Sequence, residues 1–150
     1  MGVEYLAYQA RYKNDLSDMI KSLYDESPGG LLMTDEKIES TIDFLISHEE
    51  QGKITLLMEQ GEAIGYSIIV YFWSNEYGGP ILVIDELYIK AASRSKGIGT
   101  EFIKYLLETG RTKYKAVQLE VFPSNPKALE LYERIGFQLT VNKFLRVKID

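Results

Sequence analysis

The amino-acid sequence predicts an α/β (α+β) domain in which a mixed sheet of six to seven strands is flanked by about four helices. Apolar residues recur at helical spacing in four segments, and short runs of β-branched and aromatic residues lie between them. Helices alternate with strands in the second half of the chain, which favours parallel pairing there. With 150 residues, the chain has the length of one domain. We therefore expect a single domain over residues 1–150.

Residues 1–50 are predicted to form one strand and two helices. The segment VEYLAYQARY is rich in β-branched and aromatic residues, which suits a strand. A helical repeat runs from Leu16 to Tyr24, with Asn14 or Asp15 as its N-terminal cap, and it ends near SPGG. A second repeat runs from Ile38 to Ile46, and Thr34 precedes it as a cap.

Three strands are predicted in the middle of the chain. The segment KITLLMEQGEAIGYSIIVYFW indicates two strands joined by a tight turn at Gln60 and Gly61. The next strand, Pro80–Ile89, is apolar apart from Asp85 and Glu86, as expected of a strand buried on both faces. Acids in such a strand cost free energy unless they are hydrogen-bonded or functional. The two acids are therefore candidate site residues.

The last part of the chain alternates between helices and strands. One helical repeat runs from Phe102 to Leu107, and the segment AVQLEVF after it suits a strand. Another repeat runs from Ala128 to Ile135 and ends at Gly136. The segments FQLT and KFLRVKI are predicted as the final strands.

Composition excludes several classes of function. With 17 Lys and Arg against 22 Asp and Glu, the net charge of −5 argues against binding to nucleic acid. The chain has no cysteine and one histidine, His48, so a cysteine nucleophile is excluded and we expect no metal site. The longest apolar run, Ala63–Trp73, is shorter than the roughly 20 residues of a membrane span, and the N-terminus lacks a secretion signal. We expect a cytoplasmic protein without a membrane partner.

The segment RSKGIGTEF carries an R-x-x-G-x-G pattern, formed by Arg94, Gly97 and Gly99, in front of a helical repeat. It is not a P-loop, because Lys96 precedes the glycines and no Gly-Lys-Ser/Thr follows. It is not a dinucleotide fingerprint, because Phe102 occupies the place of the third glycine. A helix N-terminus with glycines can still bind phosphate through main-chain N–H groups. By itself, the pattern also fits a turn without a ligand.

Two blocks of the sequence together resemble the GNAT superfamily of CoA-dependent N-acetyltransferases. The segment IDELYIKAASRSKGIGTEFIKYLLE is similar to the family's signature block, in which a central strand leads into R-x-x-G-x-G and its helix. Further along the chain, NPKALELYERIGF is similar to the family's second block. The resemblance implies an acetyl-CoA-dependent enzyme with a mostly antiparallel sheet. It also implies that one parallel pair of strands splays apart at the cofactor site.

The same resemblance implies which residues bind acetyl-CoA. Main-chain groups at the end of the central strand pair with the pantetheine arm, and main-chain N–H groups of the glycine turn hold the pyrophosphate. Asn125 and Tyr132 resemble family residues near the cofactor arm and the thioester sulfur, and a helix cap and a packed aromatic are their alternatives. The implied cofactor-binding residues are Leu87, Tyr88, Ile89, Arg94, Ser95, Lys96, Gly97, Ile98, Gly99, Thr100, Asn125, Lys127 and Tyr132.

Acetyl transfer to an amine needs a proton donor for the thiolate, a polarised carbonyl and an unprotonated amine. Tyr132 is the predicted general acid, because a phenol of pKa about 10 can protonate a thiolate. A main-chain N–H near Ile89 can polarise the carbonyl. Asp85 and Glu86 are the predicted catalytic residues for amine deprotonation. A relayed water, or binding of the rare neutral form of the amine, is the alternative. Adjacent strand residues face opposite sides, so only one of these acids can face the acceptor unless a bulge re-aims them.

The segment YFWSNEYGGPILVIDELYI resembles diamine and spermidine/spermine N-acetyltransferases, which have acids at the positions of Asp85 and Glu86. These acids, with Trp73, Glu76 and Glu120, are the predicted binding residues for a cationic acceptor. The expected reaction is direct acetyl transfer, in a ternary complex, to a primary amine of a small polyamine-like molecule. Aminoglycoside, amino-acid or protein amines stay open as acceptors, as does a non-catalytic CoA-binding module. Members of the family often dimerise, so the resemblance allows a homodimer and leaves the oligomeric state open.

Overall fold

The computed structural model describes residues 2–27 and 29–150, which contain four α-helices and five β-strands. The strands are β1 (Glu4–Ala7), β2 (Gly52–Glu59), β3 (Glu62–Ser74), β4 (Gly79–Ile89) and β5 (Ala116–Leu119). The helices are α1 (Lys13–Glu26), α2 (Asp35–Ser47), α3 (Ile98–Gly110) and α4 (Pro126–Ile135). The chain divides into two compact units, of which the first ends at Glu120 and the second begins at Val121.

The first unit is built on one mixed sheet with the strand order β1-β2-β3-β4-β5. Neighbouring strands pair antiparallel up to β4, whereas β4 and β5 pair in parallel, from Ile81 and Ala116 to Ile84 and Leu119. Strand β5 ends there, but β4 continues to Ile89. The last five residues of β4 therefore extend beyond its pairing with β5.

Helices α1 and α2 cover one face of this sheet and form the main core with it. Each buried aliphatic side chain of such a core contributes about 1.5–3 kcal/mol relative to an exposed one. The core residues are Leu16, Met19, Ile20, Ile38, Ile42, Leu45, Ile54, Leu56, Met58, Ala63, Tyr66, Ile68 and Tyr88. Helix α3 packs on the other face, where the ring of its buried Phe102 lies 5.1 Å from the ring of Tyr5 in β1.

Local sequence signals correctly predicted the start of α2 and the β2–β3 turn. The hydroxyl of Thr34 accepts a hydrogen bond from the N–H of Lys37, at 3.3 Å, and so caps α2. Gln60 and Gly61 both have positive φ, at 50° and 79°. This is the backbone conformation of a two-residue hairpin turn that matches the twist of the strands.

The predicted cap of α1 is wrong. The helix begins at Lys13, so Asn14 and Asp15 lie inside its first turn, and the residue that precedes it makes no side-chain cap. A 3-10 turn at Ala10–Tyr12 leads directly into α1, and the N–H of Lys13 donates to the carbonyl of Ala10. Main-chain hydrogen bonds thus replace the side-chain cap at this end.

The second unit contains α4, after which residues 136–150 form neither helix nor strand, and here the prediction of six to seven strands is wrong. No strand is present at FQLT or KFLRVKI, and the described residues form a sheet of five strands. The alternation of apolar residues fits a strand, but a strand also needs a neighbour for its main-chain hydrogen bonds. Val141 and Leu145 are 97% and 93% exposed, so burial does not follow the pattern either. Across the described residues, no helix has an apolar stretch long enough to span a bilayer.

Candidate active site

The glycine segment forms the turn into α3. Gly97 precedes the helix and has φ of 79°, in the left-handed region that favours glycine. The helical ladder starts where the N–H of Glu101 donates to the carbonyl of Gly97, at 2.9 Å. The N–H groups of Ile98, Gly99 and Thr100 come before this point, so they have no acceptor within the helix. The turn therefore presents three main-chain donors at the positive end of the helix dipole.

Gly99 is a glycine that the fold does not require. A Cβ atom at this position would meet only the side chain of Leu87, at 3.9 Å, which is an ordinary contact. Glycine within a helix costs about 0.5–1 kcal/mol relative to alanine. The open space at Gly99 lets a ligand approach the main chain closely, as a diphosphate requires. Beside this turn, Ser95 has φ of 65° and Lys96 is exposed.

The end of β4 presents main-chain groups on its open side. The N–H of Lys90 donates to the carbonyl of Ile64, at 2.8 Å. Since antiparallel pairing alternates, Leu87 and Ile89 direct their N–H and C=O groups away from β3, whereas those of Tyr88 face β3. The three residues are thus not equivalent, and only Leu87 and Ile89 offer main-chain groups on the side where pairing with β5 has ended.

Arg94 connects the glycine turn to the end of α1. Its Nε donates to the carbonyl of Ile89 at 2.7 Å, and its Nη2 lies 3.0 Å from both carboxylate oxygens of Glu26. The guanidinium also lies 5.1 Å from the centre of the Tyr88 ring, and the Tyr88 hydroxyl donates to Glu26 at 3.4 Å. A partly exposed ion pair of this kind contributes only about 0–1 kcal/mol. A contact between Arg94 and a cofactor phosphate therefore has to form beside this pair or in place of it.

A β-bulge in β4 brings the two acids to one side of the strand. Ile68 pairs with Glu86, but Ile69 pairs with Ile84, so Asp85 is an extra residue of β4 relative to β3. A bulge bends its strand and re-aims the side chains. Both Asp85 and Glu86 consequently line the same cavity. The exception to strand alternation that the sequence analysis allowed is the arrangement found in the structure.

This cavity lies between the sheet and helices α1 and α2, within the first unit, and has a volume of about 470 Å³. That volume is in the range of small-molecule sites, whose walls are mostly apolar with a few polar groups. The apolar residues of its wall are Ile20, Met33, Ile38, Phe44, Leu45, Ile68 and Val70. The polar residues are Tyr24, Ser40, Thr41, Gln51, Tyr71, Asp85 and Glu86.

Two tyrosines from different elements donate hydrogen bonds to Glu86. The hydroxyl of Tyr66 donates to Oε1 at 2.7 Å, and that of Tyr24 donates to Oε2. Burial raises the pKa of Glu86, and the nearby charge of Asp85 adds to the rise, while the two hydrogen bonds act in the opposite direction. Burial also raises the pKa of both tyrosines, so their phenols stay protonated. The carboxylate of Glu86 therefore joins α1, β3 and β4.

The other predicted acceptor residues lie apart from this cavity. Trp73 is 69% exposed and pairs with Pro80 at the far end of the β3–β4 hairpin. It lies five residues along β3 from Ile68, which is roughly 17 Å. Glu76 is exposed in the hairpin loop, and Glu120 is exposed just after β5. The structure groups Asp85 with Glu86, but it does not group them with these three residues.

Asn125, Lys127 and Tyr132 belong to the second unit. The Oδ1 atom of Asn125 accepts a hydrogen bond from the N–H of Ala128 at 3.2 Å, which is the cap role that the sequence allowed. Lys127 is exposed in the first turn of α4. Tyr132 is half-buried, its ring lies edge-on at 6.0 Å from that of Phe137, and burial raises its pKa. The roles of all three toward the cofactor stay predictions.

Sequence analysis missed the polar partners Tyr24, Glu26 and Tyr66. The repeat of α1 indicated Tyr24 only as an apolar position. Two signals were available: a carboxylate such as Glu26 is disfavoured by the dipole at the C-terminal end of a helix, and a buried phenol such as Tyr66 requires a hydrogen-bond partner. Both signals indicate that polar partners lie on neighbouring elements.

Comparison with known proteins gives a family and a fold. Residues 17–137 match the model of the acetyltransferase (GNAT) family. An aminoglycoside N(6')-acetyltransferase type 1 of Klebsiella pneumoniae is 30% identical over 92 residues, which are 55% of this chain and 46% of the relative. A spermine/spermidine N(1)-acetyltransferase of Bacillus subtilis is 27% identical over 86 residues, 55% of this chain and 57% of the relative. The chain thus spans about half the length of these curated relatives.

A solved structure from Clostridium difficile 630, described as a possible acetyltransferase, has a similar fold. It aligns with a TM-score of 0.86 over 100% of this chain and 99% of its own, at 17% sequence identity. At this identity, the likeness concerns the fold alone.

The raised pKa of Glu86 predicts how stability changes with pH. Between the ordinary and the raised pKa, the folded chain binds more protons than the unfolded chain, so the contribution of Glu86 to stability falls as pH rises through this window. We expect the free energy of unfolding of the wild type, relative to Glu86→Gln, to decrease as pH rises above about 4.5. Denaturant titrations of both proteins across a pH series measure this difference.

Glu120→Gln makes the same chemical change at an exposed acid and serves as the control for replacing glutamate with glutamine. A flat or rising difference for Glu86→Gln would contradict the burial of this carboxylate.

Proposed function

Because this chain belongs to the acetyltransferase (GNAT) family, whose members use acetyl-CoA, we propose that it is an acetyl-CoA-dependent N-acetyltransferase of a small cationic primary amine. The observation that carries the choice of acceptor is the bulge that directs Asp85 and Glu86 into one cavity. The sequence resembles diamine and spermidine/spermine N-acetyltransferases, which makes polyamines a candidate acceptor class. In this proposal, residues 1–150 act as one acetyltransferase domain. A cytoplasmic location and a homodimer are part of the proposal, and the homodimer rests on the family resemblance.

The cofactor is proposed to bind along β4 and across the turn into α3. Main-chain N–H groups of Ile98, Gly99 and Thr100 suit the diphosphate, and the exposed Lys96 adds positive charge beside them. The remaining residues proposed to hold the cofactor are Leu87, Ile89, Arg94, Ser95, Gly97, Asn125 and Lys127. When bound, acetyl-CoA supplies the acetyl group as an activated thioester.

Two groups of the chain are proposed to act on the carbonyl and on the leaving thiolate. The N–H groups of Leu87 and Ile89 on the open side of β4 can donate to a carbonyl oxygen, on which negative charge develops during transfer. The phenol of Tyr132 is the proposed proton donor. Burial raises its pKa, which keeps it protonated at neutral pH.

The two acids are proposed to have different tasks toward the amine. Asp85 is the more exposed acid, and its carboxylate attracts the ammonium group into the cavity. The amine must then lose a proton before it attacks, and its ordinary pKa is about 10. Glu86 is a stronger base than an ordinary carboxylate because burial raises its pKa. Glu86 therefore accepts the proton, directly or through a water.

A second candidate acceptor is the amine of an aminoglycoside. The relative from Klebsiella pneumoniae carries this activity in its name, and it is 30% identical over the matched 92 residues. Both candidates require the same acids, and they differ in the size and hydroxyl content of the acceptor.

An amine panel tests the proposed reaction. Purified protein is mixed with acetyl-CoA and polyamines, alkylamines, aminoglycosides or amino acids, and the released thiol is measured with a chromogenic reagent. The protein adds no background because it contains no cysteine. We expect turnover on a subset of primary amines, and we expect Asp85→Asn to raise KM for the amine while leaving CoA affinity unchanged. Stabilisation by acetyl-CoA without thiol release from any amine would favour a non-catalytic module instead.

Replacing Tyr132 tests the proposed proton donor. Tyr132→Phe retains the ring and removes only the hydroxyl, so we expect kcat to fall about tenfold or more while the free energy of unfolding changes little. Tyr105→Phe, which removes a hydroxyl from a partly exposed tyrosine of α3, is the matched control and should retain activity. If Tyr132→Phe has the same kcat as the wild type across the pH range, Tyr132 is not the proton donor.

Replacing Gly99 separates cofactor binding from folding. Gly99→Ala should stabilise the fold by about 0.5–1 kcal/mol, because alanine suits a helix better and its Cβ has space. The same methyl group should weaken CoA binding at least about tenfold, since it fills the space in front of the N–H donors. Calorimetric titration with CoA and denaturant unfolding measure the two effects.

Gly97→Ala is the comparison variant, and it should destabilise the fold because φ of 79° strains an alanine. Wild-type CoA affinity in Gly99→Ala would contradict a diphosphate site at this turn.

A further inference from the structure

The charge in the cavity is concentrated at one place. Among the lining residues in the described part of the chain, Asp85 and Glu86 are the only acids, and no lysine, arginine or histidine is present. The two acids are adjacent at the bulge of β4, where Glu86 pairs with Ile68. The cavity thus offers one position at which a cation is strongly attracted.

The wall away from the acids does not suit a second cation. It is formed by apolar side chains from both helices and from β3, among them Ile38, Phe44 and Val70. An ammonium group placed against such a wall gains no opposite charge, and it gives up the apolar contact that a neutral group would make there. A second positive charge on the acceptor is therefore unfavourable in this part of the cavity.

Neutral polar groups lie at some distance from the acids. Thr41 and Gln51 belong to the cavity wall. The main-chain carbonyl of Gln51 accepts a hydrogen bond from the main-chain N–H of Tyr71 at 3.0 Å, which places Gln51 beside Tyr71. Tyr71 is three residues along β3 from Ile68, which is roughly 10 Å from the level of Glu86. The hydroxyl of Thr41 donates to the carbonyl of Lys37 at 3.0 Å, so its oxygen can accept a hydrogen bond from a ligand.

We propose that the acceptor is an amphipathic monoamine: a primary ammonium group on an apolar body roughly 10 Å long, with a neutral end that can form hydrogen bonds. This inference rests on the proposed acetyl transfer and narrows its acceptor from small cationic amines in general. The proposed acceptor is thus a monoamine, whereas the sequence resembles enzymes that acetylate polyamines. The single pair of acids selects the amine, and the uncharged wall selects against a second cation.

Three amines of equal chain length test this inference. Hexylamine, 6-aminohexanol and 1,6-diaminohexane share a six-carbon chain with a primary amine at one end. The carbon at the other end carries no further group, a hydroxyl or a second ammonium. With saturating acetyl-CoA, we expect kcat/KM for the first two to exceed that for the diamine by at least about tenfold, which corresponds to about 1.4 kcal/mol. Equal or higher kcat/KM for the diamine would overturn the inference.

A charge added at the neutral end should reverse the preference. Gln51→Glu places a carboxylate there with little change in shape, and we expect the ratio of diamine to hexylamine kcat/KM to rise about tenfold. Gln60→Glu makes the same chemical change in the β2–β3 turn, at the other end of β2, and should leave the ratio unchanged. An equal rise in both variants would overturn a selection made by the cavity wall.

Binding measured without the cofactor separates this inference from the proposed reaction. The three amines are titrated by calorimetry into the protein in the absence of acetyl-CoA. Tighter binding of the monoamines without thiol release in the assay would support the inference and overturn the acetyl transfer. Thiol release with no preference between monoamine and diamine would overturn the inference and leave the acetyl transfer supported.

Discussion

The arrangement of the candidate site depends on the hydrogen bonds that the half-buried carboxylate of Glu86 accepts. A carboxylate in this position loses much of its hydration, and such a loss is tolerated only when hydrogen-bond donors replace the water. Tyr24 from α1 and Tyr66 from β3 provide those donors, so one side chain of β4 holds three elements in fixed positions. The cavity lies where these elements meet, and its shape therefore depends on a polar contact as well as on the apolar core.

The bulge at Asp85 divides β4 into two parts with different tasks. Up to Ile84, the strand pairs on both sides, with β3 and β5, and is part of the sheet. Beyond the bulge it keeps β3 but extends past the end of β5, so the N–H groups of Leu87 and Ile89 become available on that side, while the carbonyl of Ile89 accepts a hydrogen bond from Arg94. One extra residue thus separates the structural part of the strand from the part that can receive a ligand, and it directs two acids to the same face.

Features set by residues close together in the sequence could be predicted, and features set by distant pairs could not. The cap of α2, the turn at Gln60 and Gly61 and the glycine turn before α3 follow from local backbone rules. The partners of Glu86 are 62 and 20 residues away in the chain, so no local pattern identifies them. The bulge is a property of the register between two strands, and neither strand shows it alone. The prediction of the final strands was wrong because the alternation of apolar residues shows only a side-chain pattern. It does not show that a neighbouring strand is present for hydrogen bonding.

The segment after α4, residues 136–150, affects how copies of the protein interact in concentrated solution. Its apolar residues, such as Val141 and Leu145, are exposed, and an exposed segment rich in β-forming residues is a template for association between copies. Three basic residues, Lys143, Arg146 and Lys148, lie among them against one acid, Asp150, giving this segment a net charge of +2 within a chain of −5. The apolar residues of the segment favour contact between copies, whereas its positive charge opposes that contact. Salt screens this repulsion, so a higher ionic strength should favour contact between copies at this segment.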